Sequence, residues 1–208
     1  MPRVAKPTLF VAALAPFAWL AYSAFFGDLG TDPVETIAQV TGTSALVCLA
    51  AALAVTPLRR LTGWNWLIRL RRMLGLFVFF YALLHALDFF VFDHSLSLAS
   101  ILEDVIEHPW VLFGFTALLL LVPLAITSTN GWVRRLGGRR WQRLHRLVYL
   151  IAPLAAAHYF LAVKRDVTWP MVFALIFGAL LAARLWPRLQ RRAAPGGRRS
   201  LASTASGS

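Results

Sequence analysis

The chain has 208 residues, of which 59% are hydrophobic and only 14% are charged, and its mean hydropathy is +0.65. A soluble domain of this length needs more charge to cover its surface, so the composition excludes that class and indicates an integral membrane protein. The net charge of +12 lies in short basic clusters between apolar runs, which is typical of membrane topology and not of a nucleic-acid-binding groove.

Six apolar stretches follow one another, at residues 8–26, 38–58, 73–92, 110–128, 145–163 and 168–186. Each is close to the ~20 residues with which an α-helix crosses ~30 Å of hydrocarbon, and none shows the alternation of barrel strands. The first stretch follows a basic start, as in a signal peptide, but it is longer than a signal-peptide core and contains Pro16. The sequence therefore predicts an all-α integral membrane protein, a six-transmembrane-helix bundle over residues 8–186.

The charges predict the orientation of this bundle. Basic residues cluster before the first stretch, between the second and third, between the fourth and fifth, and after the sixth, which all lie on one side. The other side receives Lys164 and Arg165, and all nine acidic residues lie there or at the adjoining helix ends. Because Lys and Arg mark cytoplasmic loops, we expect both termini to be cytoplasmic. Residues 1–7 would form a short N-terminal segment, and residues 187–208 a basic, disordered tail.

Two histidines lie inside the apolar stretches at matching depth. His85 lies 13 residues beyond Arg72, where the third stretch enters from the basic side, and His158 lies 13 residues beyond His145, at the mouth of the fifth. At 1.5 Å per residue both are ~20 Å into the membrane, on helices that run in the same direction. Two neutral imidazoles that face each other across a bundle are the ligands that an axially bis-ligated haem iron requires.

The residues alone leave three interpretations of His85 and His158 open: haem ligation, a proton-relay or transport role, and hydrogen bonding within the core. A proton-coupled transporter or channel would use His85 with Asp88 as titrating groups. The chain has one cysteine and no C-x-x-C-H motif, so a haem would be held without thioether links.

His145 is either a further haem ligand or a solvated histidine of a basic loop. A second bis-histidine pair would need a partner 13 or 14 residues before the third-stretch histidine, where the chain has Arg72 and Arg71. Arginines do not ligate iron, but they can neutralise haem propionates, a flavin phosphate or lipid headgroups. We expect His94 and His108, which lie beside acidic residues, to be surface histidines.

Five segments together resemble the MsrQ (YedZ) family, within the wider ferric reductase-like transmembrane superfamily that includes the NADPH oxidases. They run in consistent order through the chain: TPLRR (56–60), RRMLGLFVFFYALLH (71–85), PLAITS (123–128), RRWQRLHRLVY (139–149) and HYFLAVK (158–164). The resemblance is specific at the blocks that lead from basic residues to a histidine.

The resemblance implies a haem b electron-transfer subunit in the bacterial inner membrane. It would take electrons from the quinone pool, hold an FMN, and pass the electrons to MsrP, a periplasmic molybdopterin enzyme that reduces oxidised methionines. The substrate-reducing site is then expected on that partner. His85, His145 and His158 match the family's histidines and are the expected metal ligands. The wider superfamily has a second histidine on the third helix where this chain has Arg71 and Arg72, so one haem with a flavin fits better than two haems.

Two further expectations concern the surfaces of the protein. No G-x-G-x-x-G motif occurs and the basic loops are short, so we expect electrons from a diffusible donor or a partner protein rather than from a built-in nucleotide-binding domain. The acidic segment 102–109 on the other side is a candidate docking surface for the partner, although hydration of a loop is the simpler account.

Overall fold

The computed structural model describes residues 4–193, with side chains as far as residue 184. Within these residues the chain is helical and forms no strand. Its α-helices are α1 (Ala5–Phe26), α2 (Pro33–Thr62), α3 (Leu70–Asp88), α4 (Leu98–Glu107), α5 (Pro109–Ile126), α6 (Asn130–Leu144), α7 (Val148–Ala162) and α8 (Thr168–Ala193). Short 3₁₀ turns precede α3 and α7, and a π-helical turn, Phe89–Asp93, extends α3.

The helices α1, α2, α3, α5, α7 and α8 coincide with the six predicted apolar stretches. In the described part of the chain, five helical segments are long and apolar enough to cross a membrane, and α8 contributes a shorter apolar segment, Thr168–Arg184. The chain is therefore an integral membrane protein. Of the predicted tail, residues 187–193 continue helix α8, and residues 194–208 lie outside the described residues.

The two longest connections contain helices that the sequence analysis treated as loops. Helix α4 is amphipathic, and its buried Ile101 and Val105 pack against Val111 of α5. Helix α6 carries the basic residues between α5 and α7, and its helical geometry is interrupted at Gly137, whose φ of 71° favours glycine. Both helices are too short or too polar to cross a bilayer, so they leave the number of predicted spans unchanged.

The bundle is built from two closely packed helix pairs. Helix α2 packs most extensively against α3, and α5 packs most extensively against α7. Contacts between α3 and α5 join the pairs, α8 packs against α2 and α7, and α1 packs against α2 and α3. Side chains from both pairs and from α8 meet in one core, in which Leu53, Tyr81, Ala152 and Phe177 are almost fully buried.

At two prolines within helices, polar side chains from neighbouring helices bind the backbone. Close to Pro16, the hydroxyl of Tyr81 donates to the carbonyl of Ala13 at 2.6 Å and accepts from the N–H of Phe17 at 3.3 Å. The hydroxyl therefore stands where one backbone hydrogen bond of α1 would run. This contact fastens α1 to α3 beside the proline.

The second proline, Pro57, has no N–H and leaves the carbonyl of Leu53 without its partner one turn earlier. The buried Arg184 of α8 donates to this carbonyl through Nε at 2.9 Å, and through Nη2 to that of Ala52 at 3.0 Å. A charged side chain is thus accommodated in the bundle because it satisfies backbone groups there.

The two ends of the bundle differ in charge. The end formed by the start of α2, the end of α3, α4 and the α7–α8 turn carries all nine acidic residues, and we call it the acidic end. The opposite end, with the α2–α3 turn and α6, carries clustered arginines, and we call it the basic end.

Candidate functional site

His85 of α3 and His158 of α7 lie opposite each other where the two helix pairs meet. Their ring centroids are 6.0 Å apart, and the ring planes are inclined by 77°. The structure therefore brings together the two histidines that the sequence placed at equal depth. Each ring is held by a hydrogen bond to the other helix of its own pair, His85 to α2 and His158 to α5.

The ring of His85 is held by α2. Its Nδ1 lies 3.0 Å from the carbonyl oxygen of Ala38, and because a carbonyl only accepts, Nδ1 carries the proton and donates. Thr41 lies at the edge of hydrogen-bonding range of the same nitrogen, at 3.5 Å. Gly42 leaves room for the ring, since a Cβ at that position would lie 3.3 Å from Nδ1 and Cε1.

The ring of His158 is held by α5 in the same way. Its Nδ1 donates to the carbonyl oxygen of Trp110 at 2.7 Å. The residue four positions later is Gly114, where a Cβ would lie only 2.7 Å from Nδ1 and 2.8 Å from Cε1. In both pairs the imidazole thus packs against a glycine of the neighbouring helix. Its Nδ1 donates to the backbone carbonyl that lies four residues, about one helical turn, before that glycine.

This arrangement fits an axially ligated haem iron. Donation from Nδ1 leaves the lone pair on Nε2, which is the nitrogen that binds a metal. Metal–nitrogen bonds of ~2 Å on both sides of an iron separate two imidazole centroids by roughly 6 Å, in agreement with the 6.0 Å observed. The described residues contain no group of three or more His, Cys, Asp or Glu with the geometry of a metal site. Two axial ligands suffice for haem because the porphyrin supplies four nitrogens.

His145 lies apart from this pair, in the 3₁₀ turn at the basic end. The hydroxyl of Thr127 gives its proton to the carbonyl of Pro123 at 2.6 Å, so its oxygen accepts from Nε2 of His145 at 3.1 Å. The ring also stacks on Trp141 at 4.0 Å between centroids. In this tautomer Nε2 of His145 carries a proton and is engaged within the protein.

The two arginines at the start of α3 have different surroundings. Arg72 donates to the carbonyl of Ser128, and to the side-chain oxygen of Asn130 at 2.6 Å, so it ties α3 to the turn between α5 and α6. Arg71 lies close enough to His145 to interact with it electrostatically. Both guanidinium groups belong to the basic end, and neither lies beside His85 and His158.

The remaining histidines form a polar cluster at the acidic end. His94 contacts the hydroxyl of Ser100 at 2.7 Å and lies 3.4 Å from the carboxylate of Asp104, whose other oxygen is 2.8 Å from Nδ1 of His108. The cluster fastens the turn before α4 to the start of α5. It lies away from the paired histidines.

Sequence reasoning missed the groups that hold the paired histidines. Ala38 and Trp110 act through their carbonyls, which every residue type possesses, so composition gives no indication of them. Gly42 and Gly114 did leave a signal, because a glycine inside an apolar helix often marks a close approach of another element. The histidine on the partner helix explains both glycines.

Comparison with known proteins identifies relatives along nearly the whole chain. A family model described as "Ferric reductase like transmembrane component" matches residues 41–156. The protein-methionine-sulfoxide reductase heme-binding subunit MsrQ of Herminiimonas arsenicoxydans is 52% identical over 189 residues, which cover 90% of this chain and 87% of the relative. The proteins of the same description from Rhodospirillum rubrum and Ralstonia nicotianae are each 47% identical, over 91% and 88% of this chain and 91% and 86% of their own lengths.

Proposed function

The chain belongs to the MsrQ family of ferric reductase-like transmembrane proteins, and we propose from that membership that it is a haem b electron-transfer subunit. Its relatives are described as heme-binding subunits of a methionine-sulfoxide reductase, and the family model as a ferric reductase-like transmembrane component, and both descriptions support a redox electron-transfer role. The observation that carries the proposal is the His85–His158 pair, with ring centroids 6.0 Å apart and both Nδ1 atoms donating to backbone carbonyls.

In this proposal His85 and His158 hold the haem through Nε2. The haem supplies a one-electron ferric–ferrous couple when bound. The carbonyls of Ala38 and Trp110 keep each imidazole in the tautomer that can ligate and make it more electron-donating. The apolar side chains of the surrounding core exclude water and thereby contribute to the potential. His145 is proposed as a third, secondary candidate ligand, at the basic end.

The proposal also includes the orientation of the helix bundle in the membrane. We propose six spans in the bacterial inner membrane with both termini in the cytoplasm, so that the basic end is cytoplasmic and the acidic end periplasmic. Ala38 is five residues beyond Pro33, the first residue of α2, and Trp110 is the second residue of α5. Because both helices start at the acidic end, the paired histidines lie within about two helical turns of it. An electron held there is close to a periplasmic acceptor.

The electron donor and the electron acceptor are proposed from the resemblance to the family. A quinol gives up two electrons and two protons, and reduction of a methionine sulfoxide to methionine and water consumes the same number of each. We propose that the electrons pass singly through the membrane subunit to an MsrP-like molybdenum-containing partner, which forms a heterodimer with it and carries the substrate-reducing site. The repaired substrates would then be oxidised envelope proteins.

Arg71 and Arg72 support a second cofactor at the basic end. Their guanidinium groups suit a flavin phosphate, and FMN is the flavin that the family resemblance implies. Arg72 donates to Ser128 and Asn130, and Arg71 lies close to His145, so both guanidinium groups belong to the part of the basic end where we propose the flavin phosphate. We expect Arg71→Gln and Arg72→Gln each to lower the FMN content of the purified protein.

The proposed function is tested by a dithionite-reduced minus oxidised absorption spectrum of the protein purified with haem supplied during expression. We expect low-spin b-type bands that are lost in His85→Ala and in His158→Ala. His94→Ala, which changes a histidine outside the pair, is the matched control and should keep the bands. A colourless wild-type protein would refute the proposal and favour a proton-coupled transporter that uses the membrane histidines as titrating groups.

A further inference from the structure

An open cavity of about 440 Å³ lies at the acidic end between the start of α2 and the end of α3. Four carboxylates line it, those of Asp32, Glu35, Asp88 and Asp93, together with Ala38 and Phe92. We call it the acidic cavity. Its lining carries four acidic side chains and no basic one, so its field attracts cations from the surrounding solution.

The acidic cavity has an unsatisfied group in its wall. Asp88 is only 4% exposed, and its Oδ1 has no hydrogen-bond partner among the described residues. A buried carboxylate oxygen without a donor is costly, and such a group in a native structure calls for an explanation. Asp88 therefore adds to the cavity wall an acceptor that the described residues leave uncompensated.

The neighbouring groups leave the charge of the cavity in place. Asp32 Oδ1 accepts the backbone N–H of Glu35 at 2.9 Å as the N-cap of α2, and Glu35 accepts from the neutral amide of Gln39 at 2.9 Å. No lysine or arginine side chain within the described range pairs with any of the four carboxylates. Lys164, a cation of the same end, lies instead over the ring of Trp110.

The acidic cavity also adjoins the proposed haem site. Ala38 lines it, and the carbonyl of the same residue accepts the Nδ1–H of His85 at 3.0 Å. Asp88 follows His85 by three residues on α3, so the two side chains lie on neighbouring positions of one helix face. A group bound in the cavity is therefore separated from a proposed iron ligand by one residue of α2.

We propose that the acidic cavity receives a lysine or arginine side chain of the soluble redox partner, and so docks the partner beside His85. The proposal rests on the proposed function and adds the surface through which the electron leaves. The open volume of about 440 Å³ is large enough to admit a guanidinium or ammonium group with part of its stem. A bare metal ion fits less well, because no metal-site geometry occurs in the described part of the chain.

The test measures electron transfer from the reduced full-length protein to a purified MsrP-like periplasmic reductase. The variant is Glu35→Gln/Asp93→Asn, which removes two exposed carboxylates of the cavity. The matched control is Asp28→Asn/Asp166→Asn, which removes two exposed carboxylates of the same end that do not line the cavity. Asp88→Asn tests the buried group, and the haem spectrum of each variant is recorded first.

We expect the cavity variant to raise the KM for the partner about tenfold and to flatten the salt dependence of the rate, because charges at a docking surface act mainly on encounter. Asp88→Asn should raise the KM as well, and the control should leave it unchanged. A tetra-arginine peptide should compete with the partner on wild-type protein and lose this effect on the cavity variant.

An equal rise in KM in the control and the cavity variant would overturn the proposal, because docking would then follow the overall charge of the acidic end. An unchanged KM in the cavity variant would overturn it too, as would tight binding of calcium or magnesium that is lost in Asp88→Asn without an effect on the partner. Since haem content and dithionite reduction are measured separately, any of these results leaves the proposed haem function standing. A wild-type protein without haem bands would instead refute the proposed haem function.

Discussion

Replacing Gly114 with alanine tests whether the backbone carbonyl of Trp110 positions His158. A Cβ at residue 114 would lie 2.7 Å from Nδ1 of His158, whereas ordinary contacts begin at 3.4 Å, so the ring must move by about 0.7 Å. Metal–ligand distances at a formed site hold to about ±0.2 Å. The displacement also weakens the hydrogen bond to Trp110, which is 2.7 Å long in the unsubstituted protein. We therefore expect Gly114→Ala to lose the low-spin haem spectrum.

Two other glycines provide a graded series for this experiment. At Gly42 a Cβ would lie 3.3 Å from the ring of His85, so a shift of about 0.1 Å suffices and Gly42→Ala should keep a six-coordinate haem. At Gly75 of α3 an added Cβ would meet no other atom within 4 Å, so Gly75→Ala controls for helix propensity alone. That propensity favours alanine by roughly 0.5–1 kcal/mol in all three variants.

The assay is the oxidised and dithionite-reduced absorption spectrum, with size-exclusion chromatography to show that each variant is folded. Gly114→Ala should elute as the wild type does while its spectrum becomes that of a five-coordinate haem or disappears. A Gly114→Ala protein with wild-type bands and full haem content would show that the glycine and the Trp110 carbonyl do not position His158, and the reasoning would be refuted.

Two further predictions concern groups elsewhere in the bundle. Arg184→Met should lower the apparent melting temperature in detergent, because an unsatisfied Leu53 carbonyl costs about 1–3 kcal/mol. In a Pro57→Ala background, where the helix regains its own donor, the loss should be smaller, and equal losses in both backgrounds would contradict the assigned role. His145→Ala should retain the low-spin bands, because Nε2 of this residue is already engaged with Thr127. Complete loss of haem from folded His145→Ala protein, measured by pyridine haemochrome, would contradict this prediction and make His145 a primary haem ligand.

The positions of the apolar helices were predictable because hydropathy is a property of consecutive residues. The six predicted stretches agree with helices of the structure, and the depth of His85 and His158 followed from counting residues along two helices. Depth is independent of how the helices rotate about their axes, which the sequence does not specify. The 6.0 Å separation of the rings depends on that rotation and required the packed structure.

The structural features that the sequence did not predict are mostly contacts between residues far apart in the chain. Arg184 lies inside the sixth apolar stretch, and its partners Ala52 and Leu53 are more than 130 residues away. A proline in one helix and an arginine in another have no visible relation until α2 and α8 are side by side. The connecting helices α4 and α6 were missed for a different reason, since a search for membrane spans passes over short or polar helices.

The repeated arrangement of histidine, carbonyl and glycine has a consequence for how the protein is assembled. Each histidine is held within its own helix pair, α2 with α3 or α5 with α7, so each half-site forms as soon as its pair has packed. Neither pair can ligate both faces of a haem alone. If the haem is held by His85 and His158 as proposed, its ligation is completed only when the two pairs are associated, and the bound haem then opposes their separation by its binding free energy. We therefore expect haem supply to act late in assembly, by stabilising a bundle whose two pairs already share one core.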